Sequence, residues 1–279
     1  MDNRIKTFLL LFLLSVLALG IGSIFGKSGL IIAFIFVLLM NLFTYFFSDK
    51  IVLAIYRAKP LEKSNWLYKE VEKLAKKENL PMPKLCISNF PIANAFATGR
   101  NPKNSTIVVT SKLLNLLNKD EVIGVISHEL AHIKNRDILI ATIASVLAGV
   151  IMYIASMLRF GLVYGFEERR ENLLSLIALI IIAIIAPLAA LLIQLAISRS
   201  REFLADETGA KMLKDGEPLA KALLKLENQT KLPAKASYGL EATENLFIVN
   251  PFSSSSIMKL FSTHPPVEER VKRLRSLRF

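Results

Sequence analysis

The sequence predicts an α-helical membrane protein with four transmembrane helices, joined to an α+β polar domain that carries a small β-sheet. Two observations lead there. The apolar share of 53% and the mean hydropathy of +0.45 are too high for an ordinary soluble chain of 279 residues. The apolar residues also gather in runs long enough to cross a hydrocarbon core, which takes roughly 20 helical residues. Between the runs the chain is charged, and its apolar period shifts from helical to strand-like and back.

The first two spans, about Thr7 to Phe25 and Leu30 to Phe47, are joined by Gly26-Lys27-Ser28-Gly29, a turn short enough only for a tight hairpin. Reading the first as a cleaved signal peptide is disfavoured, since its apolar run exceeds the usual ~7 to 15 residues of such a core. The third span is expected from Ile138 to Leu158, continuing the helix before it without a break, and the fourth from Leu173 to Ile197, kinked at Pro187. These runs divide the chain into an N-terminal hairpin (1–48), a first polar piece (49–137), a second hairpin (138–197) and a second polar piece (198–279).

Within the first polar piece, Leu67, Val71, Leu74 and Ala75 recur at helical spacing, ended by Pro81 and Pro83. Short strands follow at 84–88, 93–98 and 106–110, with a turn at 99–105. Ser111 caps a short helix through Leu117, and Asp120 with Glu121 opens the next. The second polar piece begins with a helix to about Leu213 and another at 217–229. Residues 231–256 read as a loop, and Pro265-Pro266 opens a last basic helix.

The net charge of +12 points to a membrane surface and not to nucleic acid, because the basic residues cluster beside the apolar runs and no segment interleaves them with aromatics. No nucleotide partner is expected either. With four spans, Arg4, Lys6, Lys50, Arg57, Lys59, Lys63, Lys134, Arg136, Arg199 and Arg201 fall on one side; Lys27, Arg159, Arg169 and Arg170 fall on the other. The positive-inside bias then puts both termini and the polar pieces in the cytoplasm. The lone Cys86 excludes an intramolecular disulfide and reads as a half-buried strand residue.

The chemistry is carried by His128-Glu129-Leu130-Ala131-His132. Two histidines four apart on a helix share one face and can hold one tetrahedral Zn²⁺, with the intervening Glu beside the metal as general base for a water attacking a peptide carbonyl. Two of the chain's three histidines lie in this pattern, which argues against incidental placement. A catalytic zinc needs a third protein ligand. No histidine follows at the short spacing some such enzymes use, because those positions hold Asn135 and Ile138, so the ligand comes from farther away. Glu202 and His264 are the candidates. Glu202 is favoured by span lengths alone: an antiparallel hairpin of the third and fourth spans returns His132 and Glu202 to one height, ~8 Å of helix outside the bilayer.

Asp206, four residues on, shares the Glu202 face and is expected to orient a ligand imidazole; the plainer alternative is a solvated acidic pair beside two arginines. His264 either donates a hydrogen bond to the oxyanion or caps its own helix. Asp137 either orients a ligand or is a charge at the membrane interface. Asn94, Ala95 and Phe96 open a strand just before the histidine helix, suited either to hold substrate along a sheet edge or to be an ordinary hairpin.

Taken together, these motifs resemble the HtpX-type heat-shock membrane proteases, relatives of the CAAX prenyl endopeptidases. The likeness covers the two N-terminal spans, Asn94 to Gly99, the histidine pattern followed by Asp137, a second pair of spans, Arg201-Glu202-Phe203 with Ala205-Asp206, and Thr263-His264-Pro265-Pro266. It implies a gluzincin-like catalytic domain, one zinc per subunit held at His128, His132 and Glu202, and Glu129 as base. It further implies a bacterial inner-membrane role in stress response, degrading damaged or misfolded membrane proteins. A narrow-specificity processing protease is the alternative among enzymes. A zinc-binding scaffold or chaperone would not need Glu129, and a transporter would carry a charge inside a span, where none stands.

Overall fold

In the computed structural model the described residues are 26–147, 199–229, 246–249 and 265–279, with isolated positions before residue 26. His264 lies outside them, as do the fourth span and most of the first and third. Helix α1 (Gly26–Ile55) is the single helix among the described residues long and apolar enough to cross a membrane. It starts at Gly26, whose φ is 72°, so the helix begins inside the four residues expected as a link. Asn41 Nδ2 donates to Ser15 Oγ at 3.0 Å, tying α1 to the segment before it. From Leu30 to Phe47 most large apolar side chains of α1 are exposed, whereas Val52 and Tyr56 at its far end are buried in the polar domain. The helix therefore runs past residue 48, where a boundary was expected.

The sheet has the order β1-β2-β4-β3, with β1 (Lys59–Pro60), β2 (Lys84–Ser88), β3 (Ala95–Asn101) and β4 (Asn104–Thr110). β2 and β4 are parallel and the outer pairs antiparallel. β1 was not foreseen, since two residues carry no periodicity. β3 also outruns its expected end. Gly99 has a φ of 138°, and a Cβ there would collide with the Asn104 carbonyl oxygen, so this glycine makes a bulge within the hairpin and not its turn.

Helix α2 (Trp66–Lys77) and the short α3 (Ser111–Leu116) stand where periodicity put them, α3 capped by Thr110 where Ser111 was expected to do so. Helix α4 (Lys119–Lys134) opens on a capping box: Asn118 Oδ1 accepts from Glu121 N, and Glu121 Oε2 accepts from Asn118 N, both at 2.9 Å. It does not continue into the third span. Asn135 closes it, Arg136 turns left-handed at φ 59°, and a second helix, α5 (Ile138–Leu147), begins after Asp137. The expected unbroken helix is thus corrected, and the ~8 Å height derived from it has no straight helix to rest on.

Helices α6 (Arg199–Leu213), α7 (Glu217–Gln229) and α8 (Val267–Ser276) complete the domain, with α6 and α7 packed on α4. Two glycines set the spacing. A Cβ on Gly124 would lie 2.6 Å from Leu219 N, and one on Gly209 would lie 2.9 Å from His128 N, so α7 and α6 approach the α4 backbone as only glycine permits. Residues 246–249, expected within a loop, are buried against this core.

Candidate metal centre

Helical spacing on α4 puts His128 and His132 on one face, with their Nε2 atoms 3.1 Å apart. The close crossing at Gly209 brings α6 alongside. Glu202 Oε2 then lies 3.7 Å from His128 Nε2, and Glu202 Oε1 lies 3.5 Å from His132 Nε2. One donor atom from each of the three residues falls within 4.8 Å of the others. Tetrahedral bonds of about 2.05 Å separate donors by roughly 3.3 Å, so this spacing suits a zinc-sized ion. His264, the rival ligand, lies outside the described residues.

Each imidazole is backed by a carboxylate on its other nitrogen. His128 Nδ1 is 2.9 Å from Asp206 Oδ1, and His132 Nδ1 is 3.2 Å from Asp137 Oδ2. Asp206 is itself gripped by Arg270 from α8, whose Nε and Nη2 donate at 2.8 and 2.7 Å. Arg270 is 1% exposed; its Nη1 donates to Ile248 O at 2.8 Å and stands 3.6 Å from Glu202. Arg201, also buried, adds a positive charge acting on Asp137 and Glu202. The sequence reading noted Arg201 only as an interfacial charge and as part of the Arg201-Glu202-Phe203 motif, and it missed Arg270.

Among the described residues, the buried carboxylates Glu129, Asp137, Glu202 and Asp206 have only Arg201 and Arg270 as buried permanent cations, an excess of two negative charges with all four ionised, which a divalent ion would balance. Proton affinities respond to that excess. Burial pushes Glu129 up to about 7, helped by Glu202 and opposed by His132, the Ala97 N–H and Arg270. Burial works against a charge on His132, but Asp137, Glu202 and Glu129 outweigh it and raise that imidazole to about 9. His128 is lowered, chiefly by burial. Burial opposes ionisation of Asp206 too, yet Arg270 and His128 hold it below the usual carboxylate range.

β3 is the edge strand beside this centre. Asn94 O accepts from Thr110 N at 2.9 Å, so the even-numbered residues face β4 and the odd ones point their backbone groups outward. Two outward N–H groups are engaged: Ala97's by Glu129 and Gly99's by Thr142 Oγ1 at 3.3 Å. The residue reaching the centre is therefore Ala97. Asn94 instead clamps residues 246–249, its Nδ2 donating to Leu246 O and its Oδ1 accepting from Ile248 N. Ala95 is buried in the core, and Phe96 packs on Tyr56 with ring centroids 4.6 Å apart.

Against known proteins, residues 61–278 match the model of peptidase family M48. The chain belongs to peptidase family M48. Curated relatives agree: it is 49% identical to a "Protease HtpX homolog" of Pelotomaculum thermopropionicum over 99% of both chains. One of the same description from Pyrococcus furiosus is 48% identical, covering 98% of this chain and 95% of the other. Among solved structures, Ste24p of S. mikatae aligns with a TM-score of 0.54 at 20% identity, over 98% of this chain and 65% of that one. That likeness concerns the fold: this M48 chain spans about two thirds of the Ste24p length. Family and relatives make the M48 chain a protease of the membrane metalloprotease class.

Proposed function

We propose that this M48 peptidase is a multi-pass zinc endopeptidase of a bacterial-type inner membrane. Its catalytic domain faces the cytoplasm, and it cleaves misfolded or damaged proteins, including membrane proteins. The observation that carries the reading is the convergence of His128, His132 and Glu202 at zinc-like spacing with Glu129 one residue from the first imidazole. These three residues would hold the ion. When bound, zinc supplies Lewis-acid chemistry, polarising a peptide carbonyl and easing deprotonation of water.

The chain's own residues do the rest. Glu129, held near neutrality by burial, takes the proton from the attacking water and returns it to the departing amine. Asp206 and Asp137 keep Nδ1 of each histidine protonated, leaving Nε2 free as donor. Arg270 fixes Asp206 and faces Glu202, so neither carboxylate can turn away. His264 is the proposed oxyanion donor. β3 carries the substrate-binding edge in this reading, with Ala97 nearest the base and Asn94, Ala95 and Phe96 supporting it from behind.

The test is to strip the purified protein of metal, add Zn²⁺, and follow casein cleavage by wild type and Glu129→Ala. Zinc-dependent cleavage confined to the wild type is expected. Equal cleavage by both would remove Glu129 from the mechanism, and zinc binding without cleavage by either would favour a scaffold.

A further inference from the structure

The β3–β4 hairpin projects away from the metal centre, and its tip rests on α1. Arg100 places its guanidinium 5.3 Å from the Phe46 ring centroid. One turn on, the Lys50 ammonium stands 4.7 Å from the Phe47 ring. Between Lys27 and Asp49 the chain carries no charge. At 1.5 Å per residue that stretch spans about 31 Å, matching a hydrocarbon core of about 30 Å. Phe46 and Phe47 therefore fall at the boundary where aromatic and basic residues meet headgroups.

The tip is built stiffly. Asn101 Oδ1 accepts from both the backbone N and Nδ2 of Asn104 at 3.0 Å, and Ser105 Oγ donates to Pro102 O at 2.9 Å. Lys103 is held exposed on it. Among the described residues no carboxylate forms an ion pair with Lys50, Arg100 or Lys103. Asp49 spends Oδ1 on the Lys50 backbone N–H. Among the described residues, three cations thus stand near the end of an exposed apolar band without an ion-paired carboxylate.

We infer that the tip at 100–104, together with the last apolar turn of α1, is a docking surface for the headgroups of anionic phospholipids. The inference rests on the reading of α1 as a membrane span. Charge complementarity and continuity with the exposed apolar band select lipid over a soluble acidic partner, which would leave Phe46 and its neighbours in water. The surface is separate from the metal centre and does not require catalysis.

The experiment uses the full chain carrying Glu129→Ala, to prevent self-cleavage, in nanodiscs of phosphatidylcholine alone or mixed with phosphatidylglycerol. Spin labels at Phe36→Cys and Lys103→Cys report depth, and the lipids retained after delipidation are counted by mass spectrometry. The label at 36 is expected in hydrocarbon and that at 103 at headgroup depth. Phosphatidylglycerol is expected to be retained preferentially. Arg100→Gln with Lys103→Gln should cut that preference about fivefold per residue. A label at 36 in water would sink the membrane reading and this inference together. A label at 36 in hydrocarbon with one at 103 in bulk water, or a preference the double variant leaves intact, overturns the inference alone. If an acidic peptide competes for the tip and phosphatidylglycerol does not, the surface serves a protein instead, which overturns it equally.

Discussion

Gly209 sets how near α6 comes to α4, and with it the position of Glu202. A methyl group there would stand 2.9 Å from His128 N and from Ser127 C, and 3.0 Å from Ser127 O, all backbone atoms that cannot swing aside. Restoring ordinary contact requires the helices to part by about 0.5 Å, an overpacking strain of about 1–3 kcal/mol. The displacement falls on donors already 3.5 and 3.7 Å apart, so zinc binding in Gly209→Ala should weaken by about 10–100-fold. Gly124→Ala is the matched control. Its Cβ would meet Leu219 N at 2.6 Å, a comparable clash on the α7 side, so it should cost similar stability while sparing the metal. Chelator competition gives the zinc affinity of each variant, and melts in excess chelator give stability. Unchanged affinity in Gly209→Ala, or a larger loss in Gly124→Ala, would refute the argument that this crossing positions Glu202.

Zinc affinity should depend on pH, because the ion must displace the proton that His132 holds up to about 9. Affinity rises about tenfold per unit from pH ~7 and levels off above pH ~9, and a flat titration would contradict this. The stability sign is opposite in the metal-free protein. His132 is raised above its ordinary 6.5, so its contribution is complete below about 6.5 and disappears as pH climbs through about 9, measurable by melts in chelator. Arg270→Met leaves Asp206 buried without its cation and should cost about 3–5 kcal/mol in denaturant unfolding, part of it recovered by adding Asp206→Asn; a neutral Arg270→Met would mean the pair is not structural. Glu202→Ala should release zinc, whereas His264→Ala should keep it and lower kcat about 10²–10³-fold; metal analysis with the pattern reversed makes His264 the ligand.

The histidine pair was legible because its geometry is local: four residues on a helix fix a face. Asp206 followed from Glu202 by helical spacing, whereas Glu202 was reached in combination with the histidines through span lengths, an argument that assumed an unbroken helix past Lys134. Arg270 was not, since it belongs to another helix and nothing in the spacing of 206 and 270 records that their side chains meet. A buried arginine in a basic helix reads like its solvated neighbours until the fold closes over it. The break at Asn135–Asp137 was hidden for another reason. Arg136 adopts a left-handed turn without the glycine or proline that would announce one, and it leaves Asp137 beside His132. Gly99 misled in the opposite sense, announcing a turn where the chain needed a bulge. The period of α2 survived because it buries one face against the core, whereas β2 and β4 bury both faces, with Leu85, Ile107 and Val109 in one cluster and Cys86 and Val108 in another.

β3 joins two places whose separation matters to any polypeptide being cut. Ala97 touches the base Glu129, and Arg100 lies against Phe46 at the end of the apolar band. The interval is three residues, about 10 Å of extended chain. In the proposed function, a polypeptide emerging from lipid must therefore yield at least that much slack before a peptide bond comes within range. An intact span, whose helix holds its end taut at the surface, gives none, whereas one that has frayed or lost its packing partners does. Selection for damage would then need no recognition of sequence, only a fixed gap that a sound protein cannot cross.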